Sequence, residues 1–298
     1  MEDVKSVKSN LLLPEGKFQF WRYLLLLVIV VIITLVAQSI FLVVASLVEG
    51  NMDFMNYPPL TLLLVTMLPF VFLLLSLMAG TMVIHKQSVF SIYSQKEKFN
   101  WNLLFKSAMI WFVLSGLSDI VLSIFQPGNY QFTFSLSSFL PYILIAVILI
   151  IIQITAEEVL FRSYLLQGFF RLFHFPWLAI IFQAVLFGIL HGANPEVSNY
   201  GLLTTMPFYI GIGLLLGWLS IKYKGLEVAL GLHFANNFYA TAMVTFSGSS
   251  IPSPAIFTIE NFRPEIGLVT FVLMTIIFSI TIISMEKKRA SRVTGDQV

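Results

Sequence analysis

Long apolar runs recur along this chain, and they limit its fold more than any other feature does. A helix needs about 20 apolar residues to cross the hydrocarbon core of a bilayer. Of the 298 residues, 58% are hydrophobic and only 11% are charged, whereas a soluble domain carries roughly 25% charged residues. The sequence therefore predicts an all-α polytopic membrane protein, with residues 1–298 forming a single membrane-embedded domain.

Hydropathy predicts about eight transmembrane helices, and charge predicts their orientation. The first run, Tyr23–Val48, is too long for the core of a signal peptide, which has roughly 7–15 residues, so we expect it to be retained. The predicted spans are residues 22–48, 60–84, 103–125, 139–161, 176–191, 200–221, 226–246 and 266–285. Basic residues collect at the amino terminus, in alternate loops and at the carboxyl terminus: Lys5, Lys8, Lys17, Arg22, Lys86, Lys96, Lys98, Arg171, Lys222, Lys224, Lys287, Lys288, Arg289 and Arg292. By the positive-inside rule, both termini are predicted to be cytoplasmic.

Three charged residues lie at the end of the fourth predicted span: Glu157, Glu158 and Arg162. A charge at this depth costs about 2.5–3.5 kcal/mol on insertion scales, so such groups pair with one another or perform chemistry. Glu158 and Arg162 are four residues apart and share a helix face, while Glu157 is rotated by about 100°. One carboxylate is thus expected to be neutralised and the other to be free to take a proton. A purely structural ion-pair cluster explains the same residues equally well.

Two histidines lie within apolar segments. His191 ends the fifth predicted span, and His233 lies in the seventh, one helical turn before Asn237. Each histidine alone is best explained as a hydrogen-bonded core residue, but two of them with an amide and a glutamate pair indicate a site. The other two, His85 and His174, are expected at the membrane interface without a catalytic role.

The spacing brings these groups to one depth. Glu157 and His191 are 34 residues apart, with the turn His174–Pro176 almost midway, so antiparallel helices would place both at the same level. His233 follows Lys224 by nine residues, about 13 Å along a helix. We therefore expect one buried pocket that opens to the cytoplasm.

Such a pocket is suited to hydrolysis. A carboxylate shielded from bulk solvent can act as a general base toward water, which is the role expected of Glu157. His191 would orient the water or bind a metal ion, and His233 with Asn237 would donate to the oxyanion or bind the same metal. Arg162 would keep Glu158 charged.

Several classes of function are excluded by the residues that are missing. The chain has no cysteine, so it has no thiol nucleophile or thiolate ligand. It contains neither H-E-x-x-H nor G-x-S-x-G, and Asp119 is the one aspartate in a predicted span, so an aspartyl dyad is not available. A net charge of +2 without a basic stripe argues against a nucleic-acid partner.

The three motifs together resemble a known family. Glu157-Glu158-x-x-x-Arg162, Phe187-x-x-x-His191 and His233-x-x-x-Asn237 are similar to the signature of the CAAX-processing and bacteriocin-processing (CPBP) proteases, also called type II CAAX prenyl endopeptidases or the abortive-infection family. The resemblance covers residues 139–246, which would be the catalytic core.

The resemblance implies an intramembrane endopeptidase that acts on a membrane-associated or lipidated peptide or protein. By motif position Glu157, His191, His233 and Asn237 would be the catalytic residues, with Glu158, Arg162 and Phe187 in support. The same four catalytic residues would bind one divalent metal ion such as Zn²⁺ if the enzyme is a metalloprotease; a metal-free glutamate mechanism is the other alternative. Bacterial members are associated with peptide processing and bacteriocin immunity, and we expect this protein in a bacterial cell membrane.

Two other functions remain open at this point. A non-catalytic scaffold or immunity protein would use the polar cluster only to hold its helices together. A proton-coupled transporter would use Glu and His as relay groups, although the chain lacks the inverted repeats and broken helices of many transporters. The sequence does not predict the oligomeric state.

Overall fold

The protein is described here from a computed structural model, which covers residues 16–88, 90–93 and 98–295. Within these ranges the chain forms twelve α-helices and three short strands. The helices are α1 (Phe20–Glu49), α2 (Pro59–Met67), α3 (Pro69–Val83), α4 (Phe90–Tyr93), α5 (Trp101–Phe125), α6 (Leu136–Glu158), α7 (Leu166–Phe173), α8 (Pro176–Leu190), α9 (Pro195–Tyr200), α10 (Leu202–Tyr223), α11 (Glu227–Ala242) and α12 (Pro264–Gly295). The strands are β1 (Tyr130–Phe132), β2 (Val244–Phe246) and β3 (Phe257–Ile259).

The helices form a membrane bundle, as predicted. Seven helical segments in the described part of the chain are long and apolar enough to cross a membrane. Their outer faces expose large apolar side chains such as Val28, Leu35 and Ile276, which water would not tolerate as a continuous surface. The protein is therefore an all-α, multi-pass integral membrane protein.

The segment predicted as the seventh span is shorter than expected. Helix α11 has 16 residues, about 24 Å at 1.5 Å per residue, whereas the hydrocarbon core is about 30 Å thick. It is not among the seven spanning segments, and its first seven residues are buried. This helix lies inside the bundle, where the other helices cover it.

The fourth predicted span is continued well beyond its predicted end at residue 161. Helix α6, a π-helical segment (Val159–Leu165) and α7 form one helix of 38 residues, Leu136–Phe173. It stops at His174, whose backbone is left-handed (φ 55°), just before Phe175 and Pro176. The π-helical segment begins directly after Glu158, and such irregular turns occur frequently at functional sites.

Close packing against α5 fixes the position of α11. A Cβ atom at Gly231 would collide with the Leu104 carbonyl and the Ser107 hydroxyl of α5. At the start of α11, the buried Glu227 accepts a hydrogen bond from the backbone of Asn100, 3.2 Å away. Small residues allow helix backbones to approach closely in membranes. Gly231 therefore determines how closely α11, the helix that carries His233, packs against α5.

A small sheet that the sequence did not predict connects the loops at one end of the bundle. Strand β3 is central, antiparallel to β1 (Tyr130 opposite Ile259) and parallel to β2 (Val244 opposite Phe257). Each strand has three residues, too few for an alternating pattern to show in the sequence. The loop of residues 247–256 connects β2 to β3.

The predicted orientation can be tested because the chain has no cysteine. Single cysteines at Lys98 and Asn51, both exposed, are expected to react with a membrane-impermeant maleimide from the cytoplasmic and the opposite side, respectively. Sealed vesicles of known orientation provide the measurement. Lys96, a second basic residue of the predicted loop that contains Lys98, lies outside the described residues. The reverse labelling pattern would overturn the predicted topology.

His85 is buried within the protein, just after the end of α3. Its Nδ1 lies 2.8 Å from the Lys17 carbonyl oxygen, and its Nε2 lies 3.1 Å from the hydroxyl of Tyr164. Burial lowers the pKa of His85 below its ordinary value of 6.5, and the nearby cations Arg22 and Arg171 act in the same direction. The neutral ring therefore connects the start of the chain to the helix that carries the glutamates.

This burial predicts a loss of stability in mild acid. The folded state favours neutral His85, so its contribution is present above pH 6.5 and is lost as the pH falls through the lowered pKa. The melting temperature is expected to fall between about pH 7 and pH 5, and to fall less in His85→Gln, which has no proton to gain. Equal pH dependence of the two proteins would show that His85 does not titrate in the folded state.

Candidate active site

Glu158 is the fixed member of the glutamate pair. Its Oε1 lies 3.1 Å from Nη1 of Arg162 and 2.7 Å from Nδ1 of His233. Glu158 and Arg162 are both 0% exposed, so each would be an uncompensated charge without the other. The predicted i,i+4 pairing is confirmed.

Phe187 of α8 lies at the centre of the site. The guanidinium of Arg162 sits over its ring at 4.3 Å, and a second ring, Phe161, lies 5.5 Å from the same cation. The Phe187 ring is 4.2 Å from the ring of His191 and 6.4 Å from that of His233. Phe187 thus contacts Arg162 and both histidines. The aromatic face also stabilises the desolvated guanidinium by cation–π attraction.

Glu157 has two oxygens in different environments. Its Oε1 accepts a hydrogen bond of 2.7 Å from Nε2 of Gln153. Its Oε2 lies 3.6 Å from Nε2 of His233 and accepts no hydrogen bond from any residue that the structure describes. The side chain is only 7% exposed. One oxygen is held in place, while the other is available for a proton or a water molecule.

The partners of His233 determine where its protons lie. The Glu158 carboxylate can only accept, so Nδ1 of His233 carries hydrogen. Its Nε2 then faces Oε2 of Glu157, another acceptor when ionised. Nε2 of His233 therefore lies beside the oxygen of Glu157 that accepts no hydrogen bond from the described residues.

His191 follows α8 directly and contacts Phe187 from the other side. Its Nδ1 lies 2.7 Å from the Phe187 carbonyl oxygen, so Nδ1 carries hydrogen and Nε2 is the acceptor atom of the neutral ring. Tyr209 of α10 stacks on the ring at 4.5 Å. The Tyr209 hydroxyl in turn donates to Glu196 and accepts from Asn194, which fixes the stacking residue.

Asn237 joins the same site from α11. Its Nδ2 donates to Oε1 of Gln153 at 3.0 Å, and its Oδ1 accepts from Asn236 at 3.2 Å. The structure therefore brings all seven predicted residues together, from the helix from α6 to α7, from the end of α8 with the residue that follows it, and from α11. Their catalytic and supporting roles stay predictions.

The side chains do not form a metal site as they stand. Across residues 16–88, 90–93 and 98–295, no group of three or more His, Cys, Asp or Glu side chains is arranged to hold a metal ion. Both amide atoms of Asn237 and one oxygen of Glu157 are already hydrogen-bonded within the protein. We therefore derive no chemical step through a metal.

Comparison with known proteins gives an independent indication of the class. Residues 137–239 match the family described as type II CAAX prenyl endopeptidase Rce1-like, which confirms the resemblance indicated by the motifs. The protein is thus a multi-pass membrane protein with an Rce1-like domain, related to the CAAX-type intramembrane proteases, which are peptide hydrolases. An uncharacterized protein of Bacillus subtilis (strain 168), YyaK, is 26% identical over 291 residues, 94% of this chain and 97% of its own length. No solved structure matches the chain.

Two residues of the site were missed by the sequence analysis. Gln153 lies four residues before Glu157, the same i,i+4 spacing that identified the Glu158–Arg162 pair, so the signal was present. Tyr209 lies on α10, within an apolar segment that also contains Phe208. Nothing in its local pattern distinguishes it from a packing residue.

Proposed function

We propose that this protein is an intramembrane endopeptidase that hydrolyses a peptide bond with a water molecule activated by Glu157. The observation that carries the proposal is the unequal environment of the two glutamates. In both glutamates Oε2 has no hydrogen bond from the described residues, but Oε1 of Glu158 lies against the guanidinium of Arg162 and Nδ1 of His233. Glu157 is held instead by the neutral amide of Gln153, and its Oε2 lies 3.6 Å from Nε2 of His233. A general base needs such an available oxygen within reach of its water.

The chemistry proceeds in two proton transfers. Oε2 of Glu157 takes a proton from water while the water oxygen forms a bond to the substrate carbonyl carbon. Nε2 of His191 accepts a hydrogen bond from the same water and orients it, and Nε2–H of His233 stabilises the oxyanion. The C–N bond then breaks as Glu157 returns its proton to the leaving amine, so the carboxylate is regenerated.

The charges of the site support this assignment. The guanidinium of Arg162 compensates the carboxylate of Glu158, which keeps the cost of burying this pair low in a bilayer. Glu157 is thereby left as the carboxylate without a cationic partner within ion-pair distance among the described residues of its own helix, and His233 lies between the two acids.

The substrate class follows from the place of the site. The proposed catalytic residues Glu157 and His233 are buried in a helical membrane bundle, where they are best reached by a peptide that is itself held at the membrane, through a lipid group or an apolar segment. The family resemblance supports such a substrate. If the protein lies in a bacterial cell membrane, the resemblance favours a role in the processing of peptides such as bacteriocins, or in self-immunity.

The proposal is tested with purified protein in detergent and a peptide library that contains matched lipidated and unlipidated members. Mass spectrometry of new termini is expected to reveal cleavage at one or a few bonds, with lipidated members preferred. Glu157→Ala, purified in parallel, must lack these products. Products that are equally abundant in both preparations would identify a contaminating protease and refute the proposal.

A chelator is expected to leave the activity unchanged, because the described residues do not form a metal-binding group. The measurement is the rate after prolonged treatment with EDTA or 1,10-phenanthroline, together with elemental analysis of the purified protein. Inhibition that zinc reverses, with one bound metal per chain, would show that the side chains rearrange around an ion. The glutamate mechanism would then be wrong.

A further inference from the structure

A continuous chain of hydrogen bonds leads from helix α5 to the proposed base. Trp111 Nε1 donates to Asn236 Oδ1 at 3.3 Å, and Asn236 Nδ2 donates to Asn237 Oδ1 at 3.2 Å. Asn237 Nδ2 donates to Gln153 Oε1 at 3.0 Å, and Gln153 Nε2 donates to Glu157 Oε1 at 2.7 Å. We call this set of five side chains the amide chain.

The direction of the amide chain is fixed from both ends. An indole nitrogen can only donate, and a carboxylate can only accept. Each of the three amides between them must therefore accept on the Trp111 side and donate on the Glu157 side. Rotating any one amide by 180° would bring two donors or two acceptors face to face at both of its junctions. The amide orientations thus follow from the terminal groups.

This direction restricts the chemistry of Glu157. Gln153 presents an N–H to Oε1, so this oxygen is already engaged as an acceptor. The oxygen that stays open to a water molecule is Oε2, 3.6 Å from Nε2 of His233. The amide chain therefore selects which oxygen acts as the base and points it toward the histidine.

We propose that Gln153 and Asn236 are positioning residues that hold the Glu157 carboxylate with Oε1 hydrogen-bonded and Oε2 turned toward His233. The inference rests on the proposed function, since it concerns the residue that activates water there. It assigns a role to two residues outside the three family motifs. It also gives Asn237 a place in the amide chain that differs from direct donation to an oxyanion.

A purely structural role would have different consequences. Side chains that only hold helices together change the melting temperature when they are removed, but they do not change the proton affinity of Glu157. The titratable and charged groups around Glu157 are Glu158 and Arg162 on its own helix, His191 after α8 and His233 on α11. None of these is altered by substitutions at Gln153 or Asn236.

The test is an infrared titration of the Glu157 carboxyl group, identified as the carbonyl band that is lost in Glu157→Gln. In Gln153→Leu the charged form loses a donor, so the pH midpoint of this band is expected to rise by about one to two units. Asn236→Ala should raise it by a smaller amount, because it acts through Asn237 and Gln153. This second variant also covers the case in which Gln153→Leu fails to fold.

Gln183→Leu is the matched control. Gln183 is also a buried helical glutamine, but its amide donates to the backbone carbonyls of Ile180 and Gly213. Its removal is expected to lower the melting temperature without moving the Glu157 band. Unchanged midpoints in both Gln153→Leu and Asn236→Ala would overturn the inference.

Peptide hydrolysis by the same variants separates this inference from the proposed function. If both hold, kcat falls at least tenfold in Gln153→Leu, KM changes little, and the pH optimum follows the infrared midpoint. If the band moves but the parent protein cleaves no peptide, the positioning of Glu157 stands and the proposed function fails. If hydrolysis depends on Glu157 but the band does not move, the proposed function stands and the positioning of Glu157 by the amide chain is wrong.

Discussion

Glu157→Gln is expected to reduce the rate of peptide hydrolysis by about 10²–10⁴-fold, the usual contribution of a general base. The substitution keeps the size of the side chain and can retain the hydrogen bond from Gln153, because the new amide oxygen accepts in place of Oε1. It removes the carboxylate oxygen that we propose takes the proton from water. The measurement is kcat for a cleaved peptide, with the melting temperature determined on the same preparation.

The melting temperature of Glu157→Gln should change by only a few degrees, because the carboxylate that pairs with Arg162 is Glu158. Asp119→Asn is the matched control, since Asp119 is a half-buried acid in another membrane helix whose carboxylate accepts from Tyr130 and Tyr239. It should keep nearly the full rate. Full activity in Glu157→Gln would show that another group activates the water, and would favour a scaffold role for the cluster.

Much of the site could be predicted because helix geometry is local. The Glu158–Arg162 pair follows from a spacing of four residues, and its burial follows from the apolar run before it. The approach of His191 to the glutamates follows from two helices joined by the turn at His174. These inferences need only the rise per residue and the residues that interrupt a helix.

Other features depend on contacts between distant parts of the chain. Trp111 belongs to the amide chain only because Gly231 lets α11 approach α5 closely. The end of α5 at Phe125 and the start of α11 at Glu227 are already more than 100 residues apart in sequence. The burial of His85 depends on the Lys17 carbonyl and on Tyr164, which no local pattern connects. Hydropathy averages over a window and therefore cannot detect such pairs.

The helix that carries the glutamates shows a second limit. The sequence places the end of the membrane span near residue 161, because a charge usually marks the membrane boundary, and lets the helix continue to the turn at His174. In the structure the helix does continue to Phe173, but Arg162 is fully buried. Pairing with Glu158 and the faces of two phenylalanines makes the charge compatible with the protein interior, so the change in polarity does not mark where the helix becomes exposed.

Glu158→Gln is expected to destabilise the protein by about 3–5 kcal/mol, the cost of removing one partner from a buried ion pair. Arg162 would keep its charge with no carboxylate as close as the 3.1 Å of the present pair, and Nδ1 of His233 would lose an ionised acceptor. Thermal or denaturant unfolding in one detergent gives the difference. Hydrolysis should fall as well, because the position of His233 depends on Glu158.

The double variant Glu158→Gln/Arg162→Met separates charge from packing. Removing both charges leaves no unpaired ion, so the double variant should be more stable than Glu158→Gln alone, with a large coupling energy. The pair Lys106–Glu286 is the control: its atoms are 3.8 Å apart and its side chains are 32% and 23% exposed, so Lys106→Met should cost at most about 1 kcal/mol. A melting temperature of Glu158→Gln equal to that of the parent would mean that Arg162 has another partner or reaches water. The proposed mechanism assumes that Glu158 neutralises Arg162 and leaves Glu157 as the base. That assumption would then be wrong, because the positive charge beside Glu157 would have a different partner.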